Sequence, residues 1–360
     1  MNVPILRLEP RLGAPGTAEW LARLGGGVVL ALLVGTVVLA LAGHEPLTAY
    51  GALLRGAFGS SRALAATINK AVPIGLCATG IALAYRAGLW NIGAEGQLYF
   101  GAFAATGIGL GLPEATPAFV ALPLVLGGGL LAGGAWAALA ALPRAYLGMN
   151  EILATLMLNY VAILWVNWLV TGPWADPMTF SFPYSERLPD AARLGRLADG
   201  VHWGIAFLAL AGGVLAALDR GLRWGYDLRV SGDAPRAALY AGIAPVATIV
   251  GGLVAAGALA GLAGAIEVSA STGRLQAGLS PGYGFMAILV AWLAGGRPLA
   301  IGIVAFLYAG LLNGGFALQV SGIPPAIGTI LQAMLLLGVL VMVGLGRYRI
   351  RVVRAEGARA

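Results

Sequence analysis

The sequence predicts an all-α fold, a polytopic transmembrane bundle of about ten helices. The first observation behind this is composition: 59% of the 360 residues are hydrophobic and only 10% are charged. A soluble domain carries about 25% charged residues, so this chain has too little polar surface to cover a water-facing globule. The second is run length. Apolar stretches are continuous and about twenty residues long, the span a helix needs to cross roughly 30 Å of hydrocarbon. Barrel strands would alternate in segments of roughly ten. The third is the 56 glycines. Lipid supplies no hydrophobic force between helices, so close backbone approach through small residues takes its place. Gly25-Gly26-Gly27, Gly127-Gly128-Gly129 and Gly133-Gly134 lie within or against apolar runs. A GC-rich genome contributes equally, since Lys70 is the only lysine beside 21 arginines.

Residues 1–23 read as a retained cytoplasmic tail, because they lack a signal peptide's early apolar core and cleavage site. The transmembrane domain covers 24–346, with spans at about 24–43, 71–86, 97–112, 118–142, 152–171, 203–219, 245–266, 284–296, 299–318 and 326–346. Pro324-Pro325 opens the last span, where a first-turn proline is tolerated. Residues 347–360 form a basic cytoplasmic tail. Ten spans put both ends on one side, and with both inside, 15 of the 22 Lys and Arg fall on inside segments, as positive-inside topology requires. Segment 44–70 fits least well, since it places Arg55, Arg62 and Lys70 outside; an interfacial helix is the alternative to a loop there. Residues 172–202 read either as an ordered external cap or as an ordinary loop. Residues 219–243 form the longest cytoplasmic connection, in which Asp233 caps a short helix with Pro235 in its first turn. That helix presents a small, partly apolar face to a docking partner.

Ionisable groups inside a bilayer are expensive, so each is a functional candidate. Asn91, Glu95 and Gln97 lie in NIGAEGQ between the second and third spans, where Gly93 and Gly96 free the backbone. One reading is the polar wall of a translocation path, since irregular backbone at membrane depth meets protein or a water-filled cavity. The other is a short cytoplasmic turn. Glu151, Thr155 and Asn159 recur every four residues on one side of the fifth span, as pathway lining or as interhelical hydrogen bonding. Glu267 ends the seventh span, either at the mouth of a path or as a solvated helix end. Asn313, Gln319 and Gln332 read as interhelical glue. Cys77 is alone in an apolar run, and His44 and His202 sit near helix ends, so no metal, redox or cofactor site is expected. The net charge of +7 follows from topology and implies no nucleic acid. No phosphate-binding GxxxxGK[ST], GxSxG or HExxH occurs, so no catalytic residue is expected and any ATP hydrolysis belongs to another subunit.

GLWNIGAEGQLYFGA (88–102) resembles the signature of ABC importer permeases of the branched-chain amino acid, ribose and nucleoside class. LPRAYLGMNEILATLMLNYVA (142–162), RWGYDLRVSGDAPRAALYAGI (223–243) and the stretch 280–315 extend the likeness over about 45–345, closest to the nucleoside or "simple sugar" branch that works with basic membrane protein lipoproteins. The resemblance implies a type II-like permease in a bacterial inner (plasma) membrane, paired with a second homologous permease. It also implies a cytoplasmic ABC ATPase and an external substrate-binding lipoprotein as partners. The family's ATPase-docking segment maps onto Ser231, Gly232, Asp233, Pro235, Arg236, Ala237, Ala238, Leu239 and Tyr240. There the chain departs from the family's acidic pattern, with Arg236 and Leu239 after the proline. Nucleosides lead as substrate, with simple sugars or branched-chain amino acids as alternatives. A self-contained secondary transporter is the competing class, but its mark, several buried coupled-ion carboxylates, is missing. A membrane-embedded enzyme would need a nucleophile, base or metal set.

Overall fold

A computed structural model describes residues 4–10, 17–113, 115–179, 182–198, 200–345 and 348–354. Strand β1 (Pro4–Pro10) leads into α1 (Thr17–Leu41), α2 (Pro46–Phe58), α3 (Ser61–Arg86), α4 (Ala94–Gly111), α5 (Ala118–Leu147) and α6 (Glu151–Thr171). A loop carrying β2 (Arg196–Ala198) and β3 (Val201–His202) follows. Then come α7 (Gly204–Arg220), α8 (Arg223–Asp233), α9 (Pro235–Tyr240), α10 (Pro245–Ile266), α11 (Tyr283–Leu293), α12 (Pro298–Val320), α13 (Pro325–Leu345) and β4 (Tyr348–Arg354). Each expected span overlaps one helix, and the fold is all-α and polytopic. The number of crossings is less simple. Among the described residues, six helices are long and apolar enough to cross a membrane, and the bent pairs α1–α2 (120°) and α7–α8 (72°) raise the number to eight. The short α11 and the polar-ended α4 fall outside that set.

Two compact units make up the chain, residues 1–57 with 311–360, and residues 58–310. In the first, α1 and α13 touch backbone to backbone. Gly27 faces Val339 and the Gly338 carbonyl, Gly338 faces Gly27 in return, and no side chain fits at either place. Farther along α1, Leu39, Ala49, Leu53, Leu318 and Leu331 belong to one buried apolar cluster. The Tyr50 hydroxyl donates to the Leu32 carbonyl at 2.8 Å, which fixes the bent helix α2. The expected tails are partly structured: 4–10 pairs antiparallel with 348–354, from Pro4 opposite Arg354 to Pro10 opposite Tyr348. Tyr-Arg-Ile-Arg-Val alternates with the period of a strand, a signal too short to stand out beside twenty-residue apolar runs. Residues 1–3, 11–16, 347 and 355–360 of those tails lie outside the described residues.

The second unit is built on α10. Gly257 and Gly261 of α10 meet Gly133 and Gly129 of α5, and Gly101 of α4 lies against Gly261. Packing and bias can now be separated position by position. Gly129 and Gly133 admit no side chain, whereas a Cβ on Gly25 or Gly127 meets nothing within 4 Å.

Several expected boundaries move. α3 starts at Ser61, ten residues earlier than 71, because Ser60 accepts the Ala63 N–H (3.1 Å) as its cap and the polar Arg62 and Lys70 ride in the first turns. Segment 44–70 is therefore helical almost throughout. Asp233 does not cap the short helix. It ends α8, an amphipathic helix that the sequence reading missed, and Ala234 takes the cap position before Pro235. Glu267 is not a solvated end: the helix continues as a π-helical turn to Thr272, with the Glu267 side chain buried and the Ser271 hydroxyl 3.3 Å from it. The described residues of 172–202 are held by the pairing of β2 with β3 and by Ser185, which exchanges hydrogen bonds with Leu275.

Candidate functional site

Residues 87–93 leave α3 as irregular backbone and re-enter the protein, and α4 starts only at Ala94. Gln97 lies beside Gly257, twelve residues into α10, so at 1.5 Å per residue this fourth residue of α4 sits about 18 Å along its neighbour. The chain after α10 turns back in the same way, and α11 begins where Gly284 presses on the backbone of Ala94 and Glu95. Two helices thus start inside the unit, and their unpaired N–H groups need partners.

The six polar residues of NIGAEGQ and of the α6 stripe supply many of those partners. Glu95 caps α11: its carboxylate accepts the Gly284 N–H at 2.6 Å, and the Ser280 hydroxyl and the Gly282 and Phe285 N–H groups lie near enough to favour its charged form. Asn91 and Gln97 exchange two amide bonds, at 2.9 and 3.0 Å, and Asn91 also accepts the Gly93 N–H at 3.0 Å. Asn159 accepts the Gly96 N–H at 2.7 Å and donates to the Ile92 carbonyl at 2.8 Å, holding both sides of the break. Glu151 pairs with Arg144 at 3.1 Å and lies 3.5 Å from the Trp90 N–H, while Thr155 donates to the Glu151 carbonyl. All six are buried in this single chain. The two stretches singled out separately form one joint, and it is hydrogen-bonded inward.

Three residues of this joint lacked a sequence signal. Ser280 accepts the Gly282 and Tyr283 N–H groups, Tyr99 meets the Ser280 backbone, and Gly284 leaves room for Glu95. Small residues in a glycine-rich chain do not advertise such roles.

The 219–243 connection is fastened to this joint. Gly232 at the end of α8 packs against Arg86 to Gly88, where neither side admits a Cβ without displacing backbone. Arg86 holds Asp219 with two 2.7 Å bonds and the Gly296 carbonyl at 3.0 Å, and Arg229 of α8 joins Asp219 at 3.3 Å. The opposite charges of Arg86 and Asp219 at two span ends were the one available hint of this clamp. On α9, Ala238 is buried and faces the chain, whereas Pro235, Arg236, Ala237, Leu239 and Tyr240 are exposed, Tyr240 at 98%. Ser231 lies 3.5 Å from Thr248 and is half-buried. Beyond the span ends, His202 is buried; its Nδ1 accepts the Gly204 N–H at 3.0 Å, and burial lowers its pKa to about 4. Among the described residues, no group of three His, Cys, Asp or Glu gathers as a metal site.

Residues 63–340 match the family described as the branched-chain amino acid transport system / permease component. The chain belongs to that permease family. A glucose ABC transporter permease protein of Haloferax volcanii is 34% identical, over 97% of this chain and 94% of its own length. The guanosine ABC transporter permease protein NupP of Bacillus subtilis is 31% identical, over 86% of this chain and 90% of its own. The nucleoside ABC transporter permease protein NupB of Lactococcus lactis is 27% identical, over 86% and 87%. No solved structure matches the chain. The chain is an ABC permease subunit, a multi-pass inner-membrane transport component and not an enzyme, and its family works with an ATPase and a substrate-binding protein.

Proposed function

We propose that this permease pairs with a second homologous permease to import nucleosides delivered by an external binding lipoprotein. The likeness to the guanosine and nucleoside permeases over most of the chain carries the substrate reading. A simple sugar is the second reading, supported by the glucose permease at 34% identity over almost the whole chain. Branched-chain amino acids have only the family description in their favour.

Energy coupling enters at α9. Leu239 and Tyr240 are large, apolar and exposed, and they offer an anchor for a cleft in the ATPase; Arg236 and Ala237 flank them. Ala238 serves by packing α9 on its own chain. Motion at α9 has a direct route inward through α8, Gly232 and the 86–88 backbone to the buried joint. In this reading Asn91, Glu95, Gln97, Glu151, Thr155 and Asn159 hold the wall of the path in shape from behind. The test is co-reconstitution of the complete transporter in proteoliposomes. ATP-dependent uptake of guanosine, unaffected by excess glucose, is expected; glucose uptake that ignores guanosine would replace the nucleoside reading. Tyr240→Asp should cut ATPase co-purification at least tenfold, the loss of a buried aromatic anchor of about 2 kcal/mol or more.

A further inference from the structure

Between α3, α7 and α12 the second unit holds a groove of about 600 Å³ with apolar walls. Ile68 and Ala71 of α3, Leu208 and Gly212 of α7, and Gly302 and Phe306 of α12 line it. A Cβ built on Gly212, Gly213 or Gly302 meets nothing within 4 Å, so the groove is open along its glycine side. The one hydroxyl in its walls, that of Thr79, is spent on the Gly75 carbonyl at 2.7 Å. Along α7 the lining runs from Ile205 to Ala216, about 16 Å at the helical rise. That is about half the roughly 30 Å hydrocarbon thickness, the depth of one leaflet.

One end of the groove is basic. Arg220 follows Ala216 by one turn of α7, and Arg297 immediately precedes Pro298 of α12. Arg86 brings these two places together, because its Nη2 bonds both the Asp219 carboxylate (2.7 Å) and the Gly296 carbonyl (3.0 Å), the residues just before Arg220 and Arg297. Asp219 is already taken by Arg86 and Arg229. Arg220 and Arg297 are exposed, and among the described residues neither side chain has a partner.

We infer that the groove is a phospholipid site, in which an acyl chain lies along α7 and an anionic headgroup phosphate sits between Arg220 and Arg297. Charge complementarity selects this occupant: a leaflet-length apolar slot that ends at two unpaired arginines matches an anionic lipid at both ends. A transmembrane helix of a second copy would fill the slot but leave the arginines without an anion.

Native mass spectrometry of the purified full chain, offered phosphatidylglycerol and phosphatidylcholine with identical acyl chains, tests this. The wild-type chain should retain one phosphatidylglycerol with a preference on the order of 30-fold, as expected for two arginines beside a headgroup of net negative charge where phosphatidylcholine's is neutral. Gly212→Leu/Gly302→Leu fills the slot where nothing is displaced and should lose bound lipid of both kinds while unfolding at the wild-type temperature. Arg220→Gln/Arg297→Gln should keep a bound lipid and lose the preference. The inference fails if the wild type retains no phospholipid, if the filled groove keeps it, or if the arginine variant remains selective. It fails equally if filling the groove turns a wild-type dimer into a monomer with lipid retention unchanged, which would assign the slot to a second copy.

Discussion

Glu95 is a buried carboxylate aimed at a ring of donors, and its shape suits holding α11 more than meeting a solute. Glu95→Gln replaces one acceptor oxygen by an amide NH2, which points a donor at donors. One buried polar group left unsatisfied costs about 1–3 kcal/mol. Thermal unfolding in detergent should therefore drop for Glu95→Gln, with uptake falling in parallel. Wild-type unfolding together with lost uptake would return Glu95 to the path itself. His202 gives a second residue-scale expectation. Its pKa of about 4 lies below the ordinary value of 6.5, so the folded protein binds its proton later than the unfolded chain does. Its contribution to stability is full above pH 6.5, declines as the pH falls and is gone below about 4, an effect of about 3 kcal/mol. A His202→Gln variant should unfold with a flatter pH dependence between 6.5 and 4, and an unchanged slope would show that His202 does not titrate there.

At the scale of elements, the α5–α10 crossing rests on absent side chains, and its glycines are not equivalent. A Cβ on Gly261 runs into Gly129 and Gly133, backbone that cannot yield, whereas Gly127 opens outward. Gly261→Leu should abolish a monodisperse fold, overpacking by far more than the roughly 1–3 kcal/mol of a single tight methylene. Gly127→Leu, two residues before Gly129 and so on the other face of the facing helix, should be neutral in size-exclusion profile and melting temperature. Equal behaviour of the two would mean that glycine content here reflects codon bias and nothing else. Helix existence was legible because long apolar runs are a property of single segments. Helix beginnings were less so: Ser60 caps α3 from within a polar stretch, and Ala234, not Asp233, heads α9. α8 escaped notice because an amphipathic helix of eleven residues that carries Arg223, Asp227, Arg229 and Asp233 resembles a polar connection.

For the whole molecule, the sequence separated what the fold joins. Asn91 to Gln97 and Glu151 to Asn159 were each recognisable as polar patches in apolar surroundings, and each left open whether a path or the protein itself used them. What the patches share, the break before α4 and the inward start of α11, depends on where α10 places its neighbours, and no local pattern records that. The paired ends carry one more consequence. β1 and β4 run side by side, so both ends of the described chain leave from one place. The arginine excess alone predicts both termini in the cytoplasm, α9 on the cytoplasmic side and the 172–202 segment outside. Asp190 and Ala237 are exposed and lie in the two opposed regions, while the native Cys77 is buried and silent to a thiol reagent. In intact spheroplasts, an impermeant maleimide should label Asp190→Cys at once and Ala237→Cys only after the membrane is opened. Immediate labelling of Ala237→Cys with Asp190→Cys protected would invert the protein. It would also remove α9 from reach of any cytoplasmic ATPase.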